Sequence, residues 1–278
     1  STQPPASGTR TDYPTGNNPF GIVFDGTDIW VTNIDDDTVS KMDRATGRRT
    51  DYSTGDNPLV LIKPLEGRLD SASGVDTVSK MDPATGTKTD YPTGGFSWGI
   101  AFDGTNIWIT HRGLDTVSKM DPATGARTDY PTGSAPQGVV FDGASIWITN
   151  VAAGTVSKMD PATGARTDYP TGNSPSEIAF DGTNIWITNA GDNTVSKMDP
   201  ATGTRTDYPT GNSPSGIAAD YSDIWITNAG DNTVSKMDPA TGTRTDFPTG
   251  TNPRGIAFDT TSIWIVNGGD NTVSRMVL

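Results

Sequence analysis

A 39-residue repeat runs through the chain and restricts the folds open to it. Four short segments recur in each unit, with the typical sequences GIAF, IWIT, TVSKM and TRTDY. Asp-Gly separates the first two segments and DPATG separates the last two, and both are turn sequences. Four short strands in about 40 residues predict one blade of a β-propeller. The units open with TDYPTG or a close variant at seven positions: Thr11, Thr50, Thr89, Thr128, Thr167, Thr206 and Thr245.

Seven units predict an all-β, seven-bladed β-propeller, with four antiparallel strands per blade and a single domain over residues 1–278. The last unit stops after its third strand, NTVSRMVL, whereas residues 5–13 supply a turn and a fourth strand. We therefore expect the N-terminal strand to pair into the last blade and close the ring. A tryptophan recurs in the second strand and is expected to pack between blades: Trp30, Trp108, Trp147, Trp186, Trp225 and Trp264.

The second unit departs from the repeat between residues 59 and 75 but keeps its length. Gradual divergence explains this, and so does a stretch read out of frame between two compensating shifts. We predict that the blade still forms, with LVLI as its first strand and a poorer second strand around Leu69.

Differences between the units cluster before the first strand and after the second. These loops emerge at the same end of an up-and-down propeller, and this end is named the variable face. Because binding sites favour loops on a rigid scaffold, we predict a ligand-binding ring here, although drift of exposed loops under no functional demand also explains the differences. The predicted ring is Phe20, Trp98, His111, Arg112, Gln137, Glu177 and Arg254.

The net charge of −13 arises from 33 acidic and 20 basic residues. Many of the acids fall in variable-face loops, which disfavours nucleic acid as a partner and suits a cation, an amine or a basic protein surface. A small molecule, a glycan or a protein are the expected ligand classes. The run Asp35, Asp36 and Asp37 would suit calcium, or it is a solvated turn. No apolar run is long enough for a membrane helix, so we expect no membrane insertion, and the oligomeric state is left open.

The consensus unit, PSGIAFDGTNIWITNAGDNTVSKMDPATG, resembles the YVTN-type repeat propellers of bacterial and archaeal secreted and surface proteins. It is also similar to the virginiamycin B lyase (streptogramin lyase) branch of seven-bladed propellers. The resemblance implies an extracellular, cell-surface or periplasmic location in a prokaryote. For the lyase branch it implies C–O elimination that opens a cyclic depsipeptide, with magnesium held by acidic residues and a histidine base.

The lyase pattern is incomplete in this chain. His111 is the only histidine, Glu177 lies two blades away, and the second histidine and paired glutamates have no counterparts. We therefore expect a binding or interaction module with no assigned catalytic residue and no required cofactor. A lyase-like C–O eliminase and a structural surface or filament subunit are the alternatives.

Overall fold

The computed structural model describes residues 9–62, 68–72, 76–82 and 84–278, with only the backbone described for 60–62 and 68–72. The described chain forms seven four-stranded antiparallel sheets, one for each repeat unit. Six of them are described with the side chains of all four strands, and in the sheet of the second unit the first two strands are described by backbone alone apart from Pro58 and Leu59. No helix among these residues is long and apolar enough to span a bilayer.

The sheets are numbered as blades in chain order. The first four comprise β2 (Pro19–Phe24), β3 (Asp28–Asn33), β4 (Thr38–Asp43) and β5 (Arg49–Ser53) in blade 1; β6 (Pro58–Ile62), β7 (Arg68–Ala72), β8 (Thr77–Met81) and β9 (Lys88–Pro92) in blade 2; β10 (Ser97–Phe102), β11 (Ile107–His111), β12 (Thr116–Met120) and β13 (Arg127–Pro131) in blade 3; β14 (Pro136–Phe141), β15 (Ile146–Asn150), β16 (Thr155–Met159) and β17 (Arg166–Pro170) in blade 4.

The remaining three comprise β18 (Pro175–Phe180), β19 (Ile185–Asn189), β20 (Thr194–Met198) and β21 (Arg205–Pro209) in blade 5; β22 (Pro214–Ala219), β23 (Ile224–Asn228), β24 (Thr233–Met237) and β25 (Arg244–Pro248) in blade 6; β26 (Pro253–Phe258), β27 (Ser262–Asn267), β28 (Thr272–Val277) and the N-terminal β1 (Arg10–Pro14) in blade 7.

The blades form a closed ring. The first strand of each blade contacts the first strand of the next, and β26 contacts β2 to complete the circle. The N-terminal strand β1 pairs antiparallel with β28, with Arg10 opposite Met276 and Pro14 opposite Thr272. The prediction of a β-propeller with antiparallel four-stranded blades is confirmed, and residues 5–8 of the predicted closing segment lie outside the described residues.

The repeated tryptophans hold neighbouring blades together, as predicted. Trp108 of blade 3, for example, lies in one apolar cluster with Ile146, Ile148 and Met159 of blade 4. Its indole Nε1 donates to Asp103 at 2.7 Å, so the Asp of the Asp-Gly turn satisfies the buried N–H group that the packing would otherwise leave unpaired. The same bond recurs for Trp30, Trp147, Trp186, Trp225 and Trp264.

A polar line of three residues crosses each regular blade and is named the Asn–Ser–Asp line. In blade 4, Asn150 Nδ2 donates to Ser157 Oγ at 2.8 Å, and Ser157 Oγ donates to Asp168 at 2.7 Å. Blades 1, 5, 6 and 7 repeat this arrangement. The buried Asn and Ser side chains are thereby hydrogen-bonded to each other and to a more exposed carboxylate on the outer strand.

The second unit forms a blade despite its altered sequence. Strand β6 contains the predicted LVLI segment and pairs with β7, where Leu69 lies opposite Ile62. Strand β7 then pairs with the regular strand β8. Both predicted strands are therefore confirmed at the level of the backbone.

Candidate functional site

The first strand of each regular blade contains a bulge that brings a variable residue to the channel. The pairing of β14 with β15, for example, shifts register between Pro136 and Val139. Thr149 Oγ1 fills this bulge: it accepts from Gly138 N at 2.8 Å and donates to the carbonyl of Ser176 in the next blade at 2.6 Å. Each blade thus fixes the backbone of its neighbour at the position where the units differ most.

A cavity of about 380 Å³ occupies the channel at the variable face, a size suited to a small ligand. Four residues of the predicted ring line it: Phe20, Gln137, Glu177 and Arg254. The remaining lining is mostly apolar and includes three isoleucines that occupy equivalent positions on first strands: Ile22, Ile217 and Ile256.

Glu177 stands where blades 1, 3, 4, 6 and 7 have glycine. A Cβ placed on Gly138 or Gly255 would lie within 2.7 Å of a backbone carbonyl of the next blade, which is closer than atoms tolerate. At Glu177 the interblade bond from Thr188 Oγ1 to the Ser215 carbonyl is 3.1 Å, against 2.6 to 2.9 Å in four other blades. The interblade bond beside Glu177 is thus the longest of these five.

The environment of Glu177 favours its neutral form. Burial raises the pKa of its carboxyl from 4.5 to about 7, because the channel removes water from the charged form, and a hydrogen bond with Gln137 offsets only part of this rise. No cation among the described residues forms an ion pair with it. Glu177 is thus a half-buried acid with a raised pKa and no cation beside it among the described residues.

An aromatic and cationic chain crosses the other side of the channel mouth. The guanidinium of Arg254 lies 5.3 Å from the Phe20 ring centre, and Phe20 meets Trp98 edge to face at 6.1 Å. Arg112 lies over Trp98 at 4.9 Å. Phe20 and Trp98 belong to blades 1 and 3, and the equivalent residue of blade 2, Leu59, is buried.

The structure places His111 apart from the other ring residues. Its side chain is only 1 % exposed and occupies the Asn place of the Asn–Ser–Asp line in blade 3. Nε2 lies 2.6 Å from Ser118 Oγ, and Ser118 donates its hydrogen to Asp129. Nε2 therefore carries the proton and donates, as the Asn amide does in other blades.

A second substitution accompanies His111. Position 97 is serine, whereas the equivalent residue of every other unit is proline, and Ser97 Oγ lies 3.3 Å from Nδ1 of His111. Burial lowers the pKa of His111, and the charge of Arg127 lowers it further, so the imidazole stays neutral. We expected His111 at the channel mouth because it lies where the second strand meets a loop. It lies inside the blade instead, because this end of the strand is buried.

The run of three aspartates organises the loops of the variable face. Asp36 accepts from the backbone N–H of Asn17 at 2.7 Å, Asp35 from the side chain of Asn18, and Asp37 from the backbone of Asn57. Across the described chain, no three His, Cys, Asp or Glu side chains converge as a metal site requires. The predicted calcium site at Asp35, Asp36 and Asp37 therefore has no supporting geometry, since these carboxylates accept hydrogen bonds from three separate residues.

Sequence comparison between units missed part of the cavity wall. Ser213 and Asn252 precede the first strands of blades 6 and 7, and Ala190 and Ala229 follow the second strands of blades 5 and 6. Comparison of the units did not single out these four residues, because the same residue types recur at equivalent positions. Their location in the loops of the variable face was the signal that could have identified them.

The fold and the cavity define the protein as a β-propeller with a cavity at one end of its axis. No family model and no curated protein sequence matches the chain, so the resemblance to YVTN-type repeats stays a prediction. Solved structures do match, at identities that show the fold alone.

One similar structure is described as "Streptogramin B lyase structure", with 21 % identity, a TM-score of 0.86 and 96 % of each chain covered. A chain of "Kuenenia stuttgartiensis Hydrazine Synthase" has 17 % identity and a TM-score of 0.84, with 97 % of each chain covered. A chain of "Crystal Structure of Mitotic Checkpoint Complex" has 13 % identity and a TM-score of 0.86, covering 100 % of this chain and 97 % of the other.

Proposed function

We propose that the chain is a binding module that holds a small ligand, with a cationic group and an apolar body, in the axial cavity. The observation that carries this proposal is Glu177, a half-buried carboxyl group on the inner ring at a position where five other blades have glycine. Replacing glycine by a partly desolvated acid at this crowded position is unfavourable to stability on two counts, sterics and desolvation. Residues of this kind concentrate at binding sites.

The charges in the cavity favour a cation as the group bound. Arg254 already donates to Asn18 Oδ1 at 2.8 Å, lies over the Phe20 ring and is attracted electrostatically by Asp35. Within the described part of the chain, the carboxyl group of Glu177 has only the neutral side chain of Gln137 as its partner. A ligand ammonium group would supply the missing counter-charge, while the isoleucines and Phe20 would bury its apolar part.

Three probes with the same phenyl and two-carbon skeleton but different charge separate the electrostatic contribution to binding from the apolar contribution. We expect phenethylamine, a cation, to bind more tightly than the neutral 2-phenylethanol and the anionic phenylacetate in calorimetric titrations. Binding of the amine should release a proton and strengthen as pH rises through 7, because Glu177 ionises on binding. A charge-assisted hydrogen bond contributes about 1.5 to 3 kcal/mol, so Glu177→Gln should weaken amine binding roughly tenfold or more.

Asp192→Asn is the matched control, because Asp192 is an exposed acid on the loops of the same blade. It should leave amine binding unchanged. The proposal is wrong if the anion binds best, if none of the probes binds at millimolar concentration, or if the two variants behave alike.

Several wider predictions rest on the sequence and are part of the same proposal. We propose that the protein acts outside the cell or at the cell surface of a prokaryote, as its repeat pattern implies. A glycan or protein ligand at the channel mouth and a filament subunit are the competing functions. Light scattering that rises with protein concentration would favour the filament.

Elimination chemistry is the second candidate function. The fold similarity to the structure described as a streptogramin B lyase and the pKa of Glu177 near 7, which suits a general base, favour it. Against it, both nitrogens of His111 contact serines inside a blade, and the described residues provide no converging ligand set for magnesium. Chelator-sensitive, magnesium-dependent cleavage of a cyclic depsipeptide would establish this alternative.

A further inference from the structure

Blade 3 carries two exposed apolar side chains on its variable-face loops. Phe96 is 65 % exposed and Leu114 is 54 % exposed. Tyr221 and Val277 are the other exposed large hydrophobic residues in the described chain. The two blade 3 loops also contact each other, since Arg112 N donates to the Phe96 carbonyl at 3.0 Å.

The other blades use the position of Phe96 differently. Its φ of 54° lies in the left-handed region, where a bulky side chain is unfavourable. The equivalent residues share this backbone conformation but are small or polar: Asn18, Asn57, Ala135, Ser174, Ser213 and Asn252. A phenylalanine here is therefore unfavourable on two counts: its backbone is in the left-handed region, and its apolar ring is exposed to water.

Leu114 replaces a residue that stabilises the loops elsewhere. In four blades the equivalent aspartate accepts a hydrogen bond of 2.6 to 2.7 Å from the backbone of the facing loop, and these are Asp36, Asp192, Asp231 and Asp270. Leucine cannot accept such a bond. Blade 3 has thus exchanged a polar loop contact for an apolar surface.

Glycines of the facing loops leave room for both side chains. A Cβ on Gly113 would lie 3.1 Å from the Phe96 ring, and one on Gly94 would lie 3.0 Å from a Leu114 methyl group. Both glycine positions are common to other units, for example Gly133 and Gly191, so the surface arises from the two substitutions themselves. Two unfavourable substitutions on the same pair of loops indicate a surface shaped for contact with another molecule.

We infer that the Phe96–Leu114 surface docks a basic segment of another protein, in which an apolar side chain is flanked by lysine or arginine. Exposed carboxylates border the surface on both sides: Asp76 accepts from Phe96 N at 3.0 Å, and Asp115 follows Leu114 in the chain. The net charge of −13 disfavours a second copy of this chain and attracts a basic partner.

Three hexapeptides test the inference: Lys-Lys-Leu-Leu-Lys-Lys, its acidic counterpart Glu-Glu-Leu-Leu-Glu-Glu, and Lys-Lys-Ser-Ser-Lys-Lys. Fluorescence anisotropy should show that the first binds and that the other two bind at least about tenfold more weakly, since apolar burial and charge both contribute. The double variant Phe96→Asn and Leu114→Asp restores residues used in other blades. It should abolish binding while keeping or raising the melting temperature.

Tyr221→Ser is the matched control, because Tyr221 is 82 % exposed in a turn between a first and a second strand, at the other end of the blades. It should leave binding unchanged. Equal binding of the serine peptide, unaltered binding by the double variant, or no binding of the basic leucine peptide would each overturn the inference. Dimerisation of the native chain that the double variant abolishes in sedimentation would instead identify a second copy as the occupant.

Discussion

At the scale of single residues, His111 shows how one side chain can replace another within a buried hydrogen-bond line. Its Nε2–H reaches Ser118 as an asparagine amide does in other blades, and Ser97 contacts the remaining ring nitrogen. Imidazole and amide groups both offer an N–H donor. Only imidazole becomes charged in mildly acidic solution.

His111→Asn should therefore make the protein less sensitive to acid. Because burial lowers the pKa of the folded His111 below its usual 6.5, the unfolded chain binds the proton more readily, and stability present above that pH is lost as pH falls. Urea unfolding of both proteins from about pH 7.5 to about pH 5 measures this loss, which should be smaller for the variant. Equal losses would contradict the assignment of a neutral, buried histidine.

Glu177 has the opposite effect on stability. Its folded pKa of about 7 exceeds the usual 4.5, so the native state keeps a proton that the unfolded chain releases. The resulting stability is complete below about pH 4.5 and lost as pH rises through 7, by up to about 3 kcal/mol. Glu177→Gln should abolish this loss in urea unfolding. An unchanged pH slope would show that water reaches the carboxylate freely.

Of the seven residues that sequence comparison predicted for the ring, four line the cavity. The repeat itself explains why these four could be found. Positions held in common by the units serve packing, so Phe20, Gln137 and Arg254 differ where no packing rule fixes them. Glu177 differs at a position where close interblade contact favours glycine, and this made it the most conspicuous of the four. His111 differs too, but for an internal reason. The serine at position 97, in place of proline, was the signal that a buried partner had changed with it.

At the scale of elements, the turn between the third and fourth strands requires glycine for two reasons. Gly164 has a φ of +73°, and a Cβ there would collide with the ring of Tyr130 in the preceding blade. The turn is therefore both a reversal of the chain and a contact surface between blades, which accounts for the near-constant DPATG sequence.

Gly164→Ala should destabilise the protein by about 2 to 4 kcal/mol, from the positive φ together with displacement of the aromatic ring. Gly143→Ala is the comparison, because Gly143 also has a positive φ, of +94°, but its Cβ would meet nothing within 4 Å. That variant should lose only about 1 kcal/mol. Denaturant titration measures both, and equal losses would mean that the tyrosine contact contributes nothing.

At the scale of the whole molecule, the pairing of β1 with β28 joins the two ends of the ring. Asp12 accepts from Ser274 at 2.7 Å and completes the polar line of blade 7, while Tyr13 stacks on Trp264 at 5.7 Å. One short strand therefore supplies ladder bonds, an accepting carboxylate and an aromatic contact to a blade formed at the other end of the chain.

Removal of residues 1–14 should lower stability by several kcal/mol, because β28 would become an unprotected edge and Trp264 would lose its cover. Unfolding in urea measures the loss, and a synthetic peptide of residues 9–17 should restore part of it. Tyr13→Ala tests the aromatic contact alone and should have a smaller effect. A truncated protein as stable as the native one would show that the closing pair is dispensable.

The repeat made the architecture predictable, whereas the cavity required the structure. Strand order, turn chemistry and the closing strand follow from spacing, and they extend to β6 and β7, whose sequence departs from the pattern but whose neighbours fix their place. The volume and lining of the cavity depend on how far side chains such as Phe20 and Arg254 extend across the channel. No spacing rule gives that distance.

The uneven placement of the tryptophans equips the protein with an optical reporter. Six of the seven are fully buried between blades, and Trp98 alone is partly exposed, in edge contact with a residue of the cavity wall. A collisional quencher such as acrylamide will reach Trp98 long before the others. Intrinsic emission can therefore follow occupancy of the channel mouth without any attached dye.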